Sequence, residues 1–359
     1  VGPTGGGTSP LAGALALKAL VIGCALLHGT HVVAAEWTRL PALPATEGVA
    51  GAFAGVDRGA LLVAGGANFP DRKPWEGGTK VWYDTVFVLE KPDGDWKIAG
   101  RLPRPLGYGV SLTHRAGVVC IGGSDAKRHF ADAFRLQWQA GKLITTELPS
   151  LPSPVANAGG ALVGDTVYVA GGLEQPDAVE TLRTVYRLDL STDAPRWEAI
   201  ESWPGSGRML AVASGFDGAF WLAGGTELVA DQQGNPIRRY LKDAYRYDRA
   251  QGWRRIADLP RAVVAAPSPA PVDETGFFVL GGDDGSQLEV APDQHRGFSG
   301  QLLRYNARQD TWSEAGQTPA AHVTTPCVEW NERWVVPSGE VRPGIRSPEV
   351  WAWSPRETD

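Results

Sequence analysis

The sequence predicts an all-β fold, a six-bladed β-propeller over residues 36–359, from a recurring strand motif, frequent turn residues and many large aromatic rings. The 359 residues include 45 glycines, 27 prolines and 14 tryptophans. Frequent turns together with bulky rings favour many short strands over bundled helices. Because closed all-β folds of this length often form one domain, residues 36–359 are assigned to a single propeller.

A strand that ends in a pair of glycines recurs along the chain. The pairs lie at 65–66, 122–123, 171–172, 224–225 and 281–282, and a sixth strand ends in Ser338-Gly339. Successive copies are 57, 49, 53, 57 and 57 residues apart, close to the roughly 50 residues of a Kelch repeat. Each pair follows a short apolar run that is typical of a buried strand. Six such units predict a Kelch-type propeller with six blades.

The two ends of the propeller are predicted to share one blade. In four units a tryptophan strand runs into a proline turn, as Trp197 does before Pro204. The last unit ends without such a strand, whereas Glu36–Leu40 provides one ahead of Pro44. The N-terminal strand is therefore expected to complete the C-terminal blade and close the ring, which removes free sheet edges.

Residues 1–35 are predicted to be a cleavable signal peptide. Lys18 precedes the apolar stretch 19–27, and small residues precede Glu36, so cleavage is expected after Ala35. A lipoprotein signal at Cys24 is a second interpretation. Only five residues separate Lys18 from Cys24, which is short for the apolar part of a signal and favours the first interpretation. Both predict export, and the stretch is too short to span a membrane.

Charge and cysteine content exclude several classes of function. The net charge of −6 argues against a nucleic-acid partner, which requires a basic surface. The three cysteines lack the spacing of a metal site. Cys120 and Cys327 lie in apolar runs and are expected to be buried as small hydrophobic residues.

Loops at one end of the blades are predicted to line the mouth of the central channel. These loops follow each proline turn and each glycine pair. After the proline turns, the polar candidates are Tyr108, Asn157 and Arg208. After the glycine pairs, the candidates are Asn68, Asp125, Glu174, Glu227, Asp284 and Glu340. Asp and Asn are also common turn formers, so position alone does not select a catalytic residue.

The sixth repeat carries the most distinctive segment of the chain. Residues 339–346 resemble the Gly-Glu-x-x-Pro-Gly-x-Arg segment of the N-acetylneuraminate epimerases, the bacterial sialic-acid mutarotases, which are exported Kelch propellers. Residues 48–55, 108–112 and 204–208 are also similar to that family. The segment lies mid-chain in the best-known form, so the order here matches a cyclically permuted subgroup. Leu106 replaces an arginine of that form, with Arg104 nearby.

The resemblance implies an isomerase that interconverts the α and β anomers of N-acetylneuraminate through the open keto form. It implies that Glu340 is the acid/base catalyst and that Arg346 holds the substrate carboxylate. It requires no cofactor and no metal. It also implies a periplasmic location, a sugar acid as the small-molecule partner, and a homodimer. The accessory substrate contacts expected at the mouth are Arg208, Tyr108, Asn157 and Asn68.

Other functions remain open from the residues alone. A non-catalytic exported propeller that binds a sialylated or acidic glycan, or a protein, would suit Arg346 equally well. Glu340 and Arg346 could also form an ordinary surface ion pair, worth about 0–1 kcal/mol. A Kelch-type copper oxidase requires paired histidine ligands, whereas the histidines after residue 36 are scattered at 114, 129, 295 and 322. The arginine triad and repeated Asp boxes of a sialidase are not evident.

Overall fold

The computed structural model describes residues 1–2 and 36–355, and its antiparallel sheets form the six blades of a β-propeller. The fold class predicted from the glycine repeat is thus confirmed. Residues 3–35, which contain Cys24 and nearly all of the predicted signal peptide, lie outside the described residues. Within the described ranges, no helix has the length and apolar character needed to cross a membrane.

Each of the first four blades along the chain has four strands. The first blade is formed by Phe53–Asp57, Ala60–Ala64, Thr85–Leu89 and Lys97–Arg101. The second is formed by Val110–His114, Gly117–Ile121, Ala133–Gln139 and Lys142–Leu148. The third is formed by Gly159–Val163, Thr166–Ala170, Val185–Asp189 and Trp197–Ile200. The fourth is formed by Val212–Phe216, Ala219–Ala223, Ala244–Asp248 and Gly252–Ile256.

The fifth blade has three strands in its sheet instead of the expected four. They are Gly276–Gly282, Ser299–Asn306 and Thr311–Gln317. The segment expected to form the innermost strand makes only an isolated bridge, from Val272 to Phe277. Prolines at 267, 269 and 271 explain this difference, because they have no N–H to donate to a ladder.

The sixth blade joins the two ends of the chain, as the sequence predicts. Its strands are Val328–Trp330, Arg333–Arg342, Ile345–Ser354 and the N-terminal Glu36–Leu40. Trp37 pairs with Trp353 across the outer two strands, and the two indole rings lie 6.0 Å apart. Trp37 Nε1 also donates to the carbonyl of Gln317 in the fifth blade, at 3.1 Å. The predicted closure of the ring is confirmed.

Two short ribbons extend from the blades next to the channel mouth. One pairs Ala67–Asn68 with Val81–Trp82, and a 3-10 turn at Pro74–Glu76 lies between its strands. The other pairs Thr226–Ala230 with Pro236–Tyr240. The repeat pattern does not predict either ribbon, because both are insertions after a glycine pair that the other four blades lack in the described residues.

The core lies between neighbouring blades. Between the fourth and fifth blades, for example, Trp221, Phe277 and Tyr305 pack with ring centroids 5.2–5.8 Å apart. Cys120 and Cys327 are buried, and burial raises the pKa of both thiols. Their predicted role as small buried hydrophobic residues is therefore confirmed.

A closed ring of six backbone hydrogen bonds surrounds the channel axis. Its members have φ between 53° and 67° and are Gly51, Tyr108, Asn157, Leu210, Ala265 and Thr324. Each N–H donates to the carbonyl of the preceding member, and that of Gly51 donates to Thr324, at 2.6–2.8 Å. A left-handed conformation is costly for residues other than glycine. Here each blade has one residue in this conformation, and that residue forms the hydrogen bonds of the ring. The ring fixes the floor on which the functional site is built.

Candidate functional site

A cavity of about 750 Å³ opens at the channel mouth and is lined by loops from all six blades. Tyr108, Asn157, Leu210, Ala265 and Thr324 of the hydrogen-bonded ring line its floor. Its walls carry acidic, basic and aromatic side chains. A cavity of this size and mixed character suits a small polar ligand.

Glu340 and Arg346 both line this cavity, on a β-hairpin of the sixth blade. They are cross-strand partners in a ladder that has bulges on both sides of Glu340. Arg346 Nη1 lies 3.5 Å from Glu340 Oε1, and the same oxygen accepts a hydrogen bond from the Gly344 N–H at 2.7 Å. Gly344 has a φ of +78°, which suits glycine at the turn. The hairpin thus holds an acid and a guanidinium side by side.

The Arg346 guanidinium is buried without enough hydrogen-bond acceptors. Its side chain is 3% exposed, and its Cζ lies 4.9 Å from the centre of the Phe69 ring. Among the described residues, neither Nε nor Nη1 has a hydrogen-bond partner. Buried donors are normally satisfied, and a planar guanidinium matches the two oxygens of a carboxylate. Unused donors at the wall of a cavity therefore suit an anionic ligand.

Tyr108 and Asn157 lie at the cavity floor. Both belong to the hydrogen-bonded ring, with φ of 62° and 58°. The Tyr108 hydroxyl is buried and has no hydrogen-bond partner among residues 1–2 and 36–355. The structure thus brings Glu340, Arg346, Tyr108 and Asn157 to one cavity.

Asn68 does not line the cavity wall. It is buried, where its Nδ2 donates to the carbonyl of Gly48 at 2.7 Å and its Oδ1 accepts from the Phe69 N–H at 2.7 Å. Both ends of the amide are therefore occupied by backbone groups. This places Asn68 as a support for the chain that leads to Phe69.

Arg208 is also placed away from the cavity lining. It is fully buried, and it donates to the Gly224 carbonyl at 2.8 Å and to Asp243 Oδ2 at 2.7 Å. Burial alone would raise the pKa of Asp243, but the charge and hydrogen bonds of Arg208, with the Tyr245 hydroxyl, outweigh burial and lower it. The pair is thus an internal ion pair of the fourth blade.

Asp283 is a second carboxylate that lines the cavity. The repeat pattern predicted Asp284, one residue further along the chain. Isolated bridges join Val323 to Glu340 and Val264 to Asp283. The counterpart of Glu340 in the fifth blade is therefore Asp283 instead of Asp284. Asp283 Oδ2 accepts from the Tyr240 hydroxyl at 2.6 Å. Asp283 directly follows Gly281-Gly282, just as Glu340 directly follows Ser338-Gly339, and this shared position was the signal that could have identified it.

His129 and Lys80 also line the cavity, although the repeat did not select them. Burial lowers the pKa of His129, despite opposing effects of the Leu173 carbonyl and Asp125. His129 Nδ1 lies 2.9 Å from the Leu173 carbonyl, so a neutral ring donates there and leaves Nε2 as an acceptor. Lys80 lies next to the second strand of the first ribbon, in an insertion that the repeat does not predict.

The described ranges contain no group of three or more His, Cys, Asp or Glu side chains arranged to hold a metal ion. Glu340 can exchange a proton with a bound hydroxyl, and Arg346 can bind a carboxylate.

Comparison with known proteins gives a family match over more than half of the chain. The family described as N-acetylneuraminate epimerase matches residues 27–145 and 148–291. An N-acetylneuraminate epimerase of Yersinia pestis (strain Pestoides F) is 41% identical over 126 residues, covering 30% of this chain and 31% of the relative. One from Salmonella enteritidis PT4 is 46% identical over 90 residues, covering 23% of each chain. These alignments span less than a third of the relatives, and the family match ends before the hairpin of residues 340–346.

Proposed function

Because this chain belongs to the N-acetylneuraminate epimerase family, we propose that it is a sialic-acid mutarotase, an isomerase that interconverts the α and β anomers of N-acetylneuraminate. The observation that carries this proposal is the Glu340–Arg346 pair at the cavity wall, where Arg346 has unused N–H donors. The pair offers an acid/base group directly beside a carboxylate-binding group.

The reaction opens and recloses the sugar ring. Opening removes the proton of the hydroxyl on C2, breaks the bond between C2 and the ring oxygen, and protonates that oxygen. Reclosure on the other face of the C2 carbonyl gives the other anomer, with the proton transfers reversed. In this proposal Glu340 takes the proton of the C2 hydroxyl and delivers it to the ring oxygen, and it reverses both transfers on reclosure, a contribution of about 10²–10⁴ in rate. Protons and electrons balance without a cofactor.

Arg346 would position the substrate for this exchange. The substrate carboxylate is bonded directly to C2, so a carboxylate held on Arg346 brings the C2 hydroxyl towards the neighbouring Glu340. Arg346 donors that lack partners would then donate to the substrate carboxylate. Tyr108 and Asn157, on the cavity floor, would contact the hydroxyl groups of the sugar.

We also propose a cellular location, a ligand and an oligomeric state for the protein. A periplasmic location is supported by the predicted signal peptide at 1–35. The partner is a free sugar acid, and a homodimer is expected from the family resemblance.

Proton NMR of freshly released α-N-acetylneuraminate tests the mutarotase proposal. We expect equilibration of the anomers to be accelerated at catalytic concentrations of the protein. Unchanged equilibration would contradict it. The second candidate is a non-catalytic propeller that binds acidic glycans, which the free Arg346 donors also favour. Saturable binding of sialic acid without acceleration would identify that function instead.

A further inference from the structure

The Lys80 ammonium lies among three aromatic rings at the cavity wall. Its Nζ is 5.1 Å from the ring centre of Tyr108, 5.3 Å from Trp82 and 5.7 Å from Phe69. Ring faces attract a cation electrostatically, but they give its three N–H groups few acceptors. Lys80 is therefore positioned by rings that leave its donors available.

No carboxylate among the described residues pairs with Lys80, whereas Lys73 and Lys97 each have an ion-pair partner. The hydroxyl of Tyr108, whose ring lies against Lys80, is likewise buried without a partner. A half-buried ammonium without an acidic partner in a ligand-sized cavity is suited to bind an anion from solution.

Lys80 and Arg346 both lie close to the ring of Phe69. The ring of Phe69 has the Arg346 guanidinium 4.9 Å from its centre and the Lys80 ammonium 5.7 Å from it. Two cations on one ring, both lining one cavity, create a locally positive wall beside Glu340. Glu340 offsets the charge of Arg346, with 3.5 Å between Oε1 and Nη1, but no carboxylate of the described residues pairs with Lys80. A bound anion close to both cations would relieve the repulsion that remains between them.

We propose that Lys80 is a second substrate-binding cation, which holds the carboxylate of a 2-keto sugar acid together with Arg346. This inference rests on the proposed function and names a specificity residue for it. The positive charges of Lys80 and Arg346 would then favour binding of acidic sugars over neutral ones. Lys80 comes from the first blade and Arg346 from the sixth, so the carboxylate bridges the junction at which the ring of blades closes.

The test measures binding of N-acetylneuraminic acid and of its uncharged methyl ester by calorimetry. Lys80→Met keeps the apolar stem against the rings and removes the charge. We expect it to weaken binding of the acid by about tenfold to a hundredfold and to leave binding of the ester unchanged. Lys80→Arg should restore part of the affinity. Lys91→Met, at an exposed site outside the cavity, is the matched control for loss of charge.

Equal losses for acid and ester would overturn the proposal, because Lys80 would then contact another part of the sugar. Unchanged binding of the acid would overturn it as well. Circular dichroism checks the fold of each variant, and Lys80→Gln replaces Lys80→Met if the latter does not fold. A wild-type protein that binds the acid without accelerating mutarotation would refute the proposed function while the Lys80 result stands.

Discussion

Glu340 and Arg346 are cross-strand partners in the hairpin of the closing blade, with Arg346 Nη1 3.5 Å from Glu340 Oε1. Both strands of this hairpin are ten residues long, whereas the corresponding strands of the first blade have five residues each. The extra length carries the pair to the cavity. Pairing in a ladder gives the two side chains a fixed relative position, which a free loop would not provide.

The first prediction concerns the carboxylate of Glu340. Glu340→Gln should lower the rate of mutarotation about 10²–10⁴-fold, because an amide cannot accept and return the proton. The amide oxygen can still accept the Gly344 N–H, so the hairpin and the thermal stability should be retained. NMR of anomer exchange and a thermal melt measure the two effects.

Glu329→Gln is the matched control for this substitution. Glu329 lies on the same blade and is exposed, so its loss should leave the rate unchanged. Full activity of the Glu340→Gln variant would remove Glu340 from the mechanism. Loss of activity in both variants would indicate a general effect of charge.

The repeat could be predicted from sequence because the backbone has a positive φ at the glycine pairs, which favours glycine. The first glycine of the pair in the first blade has a φ of +67° and Ser338, at the same position in the sixth blade, has +62°. Such angles favour glycine, so five copies are visible as Gly-Gly pairs. The sixth copy keeps the geometry and changes the residue, which is why it looked irregular in sequence and is regular in structure.

The contents of the cavity were harder to predict, since they depend on single-residue register and on long-range contacts. Successive residues of an extended chain point to opposite sides, so counting one position too far selected Asp284 in place of Asp283. Arg208 has the sequence context of a mouth residue, but its carboxylate partner Asp243 is 35 residues away. Lys80 lies on an insertion, where no repeat marks its position.

The second prediction is that Arg208 stabilises the fold and does not bind substrate. Arg208→Met leaves the Asp243 charge buried without its partner and should cost about 3–5 kcal/mol of unfolding free energy, with KM unchanged. Arg255→Met breaks an exposed ion pair with Asp258 and should cost no more than about 1 kcal/mol. Urea unfolding and initial rates measure both. A raised KM with unchanged stability would show instead that Arg208 binds substrate.

The third prediction is an acid sensitivity that arises from the same pair. The folded pKa of Asp243 is below its ordinary value because the charge and hydrogen bonds of Arg208 outweigh burial. Its stabilising contribution is therefore complete above the unfolded aspartate pKa of about 3.9 and is lost as pH falls through the lower folded pKa. Asp243→Asn should be less stable at neutral pH and should lose less further stability below about pH 4. Parallel acid unfolding curves for the two proteins would contradict this assignment.

The fourth prediction concerns Ser338, which links the sixth blade to the first. Its buried hydroxyl accepts from the Val49 N–H at 2.8 Å and lies 2.7 Å from the Ser347 carbonyl, to which it donates. Ser338→Ala keeps a side chain in the left-handed conformation and leaves these groups unsatisfied, so it should cost about 1–3 kcal/mol. Ser338→Gly loses the same bonds but relieves the left-handed strain and should cost less. Urea unfolding distinguishes them, and a Ser338→Ala variant as stable as wild type would show that the hydroxyl does not hold the junction.

The last prediction separates the architecture of the cavity floor from substrate binding at Asn157. Its φ of 58° is adopted readily by glycine, so Asn157→Gly should keep the hydrogen-bonded ring and remove only the side-chain amide. Loss of one neutral hydrogen bond to the sugar should raise KM about threefold to tenfold. Ala265→Gly introduces glycine at another ring position with the same φ of 58° and no polar group, so its KM should match wild type. If both variants raised KM equally, the effect would come from a loosened floor, and Asn157 would have no role as a substrate contact.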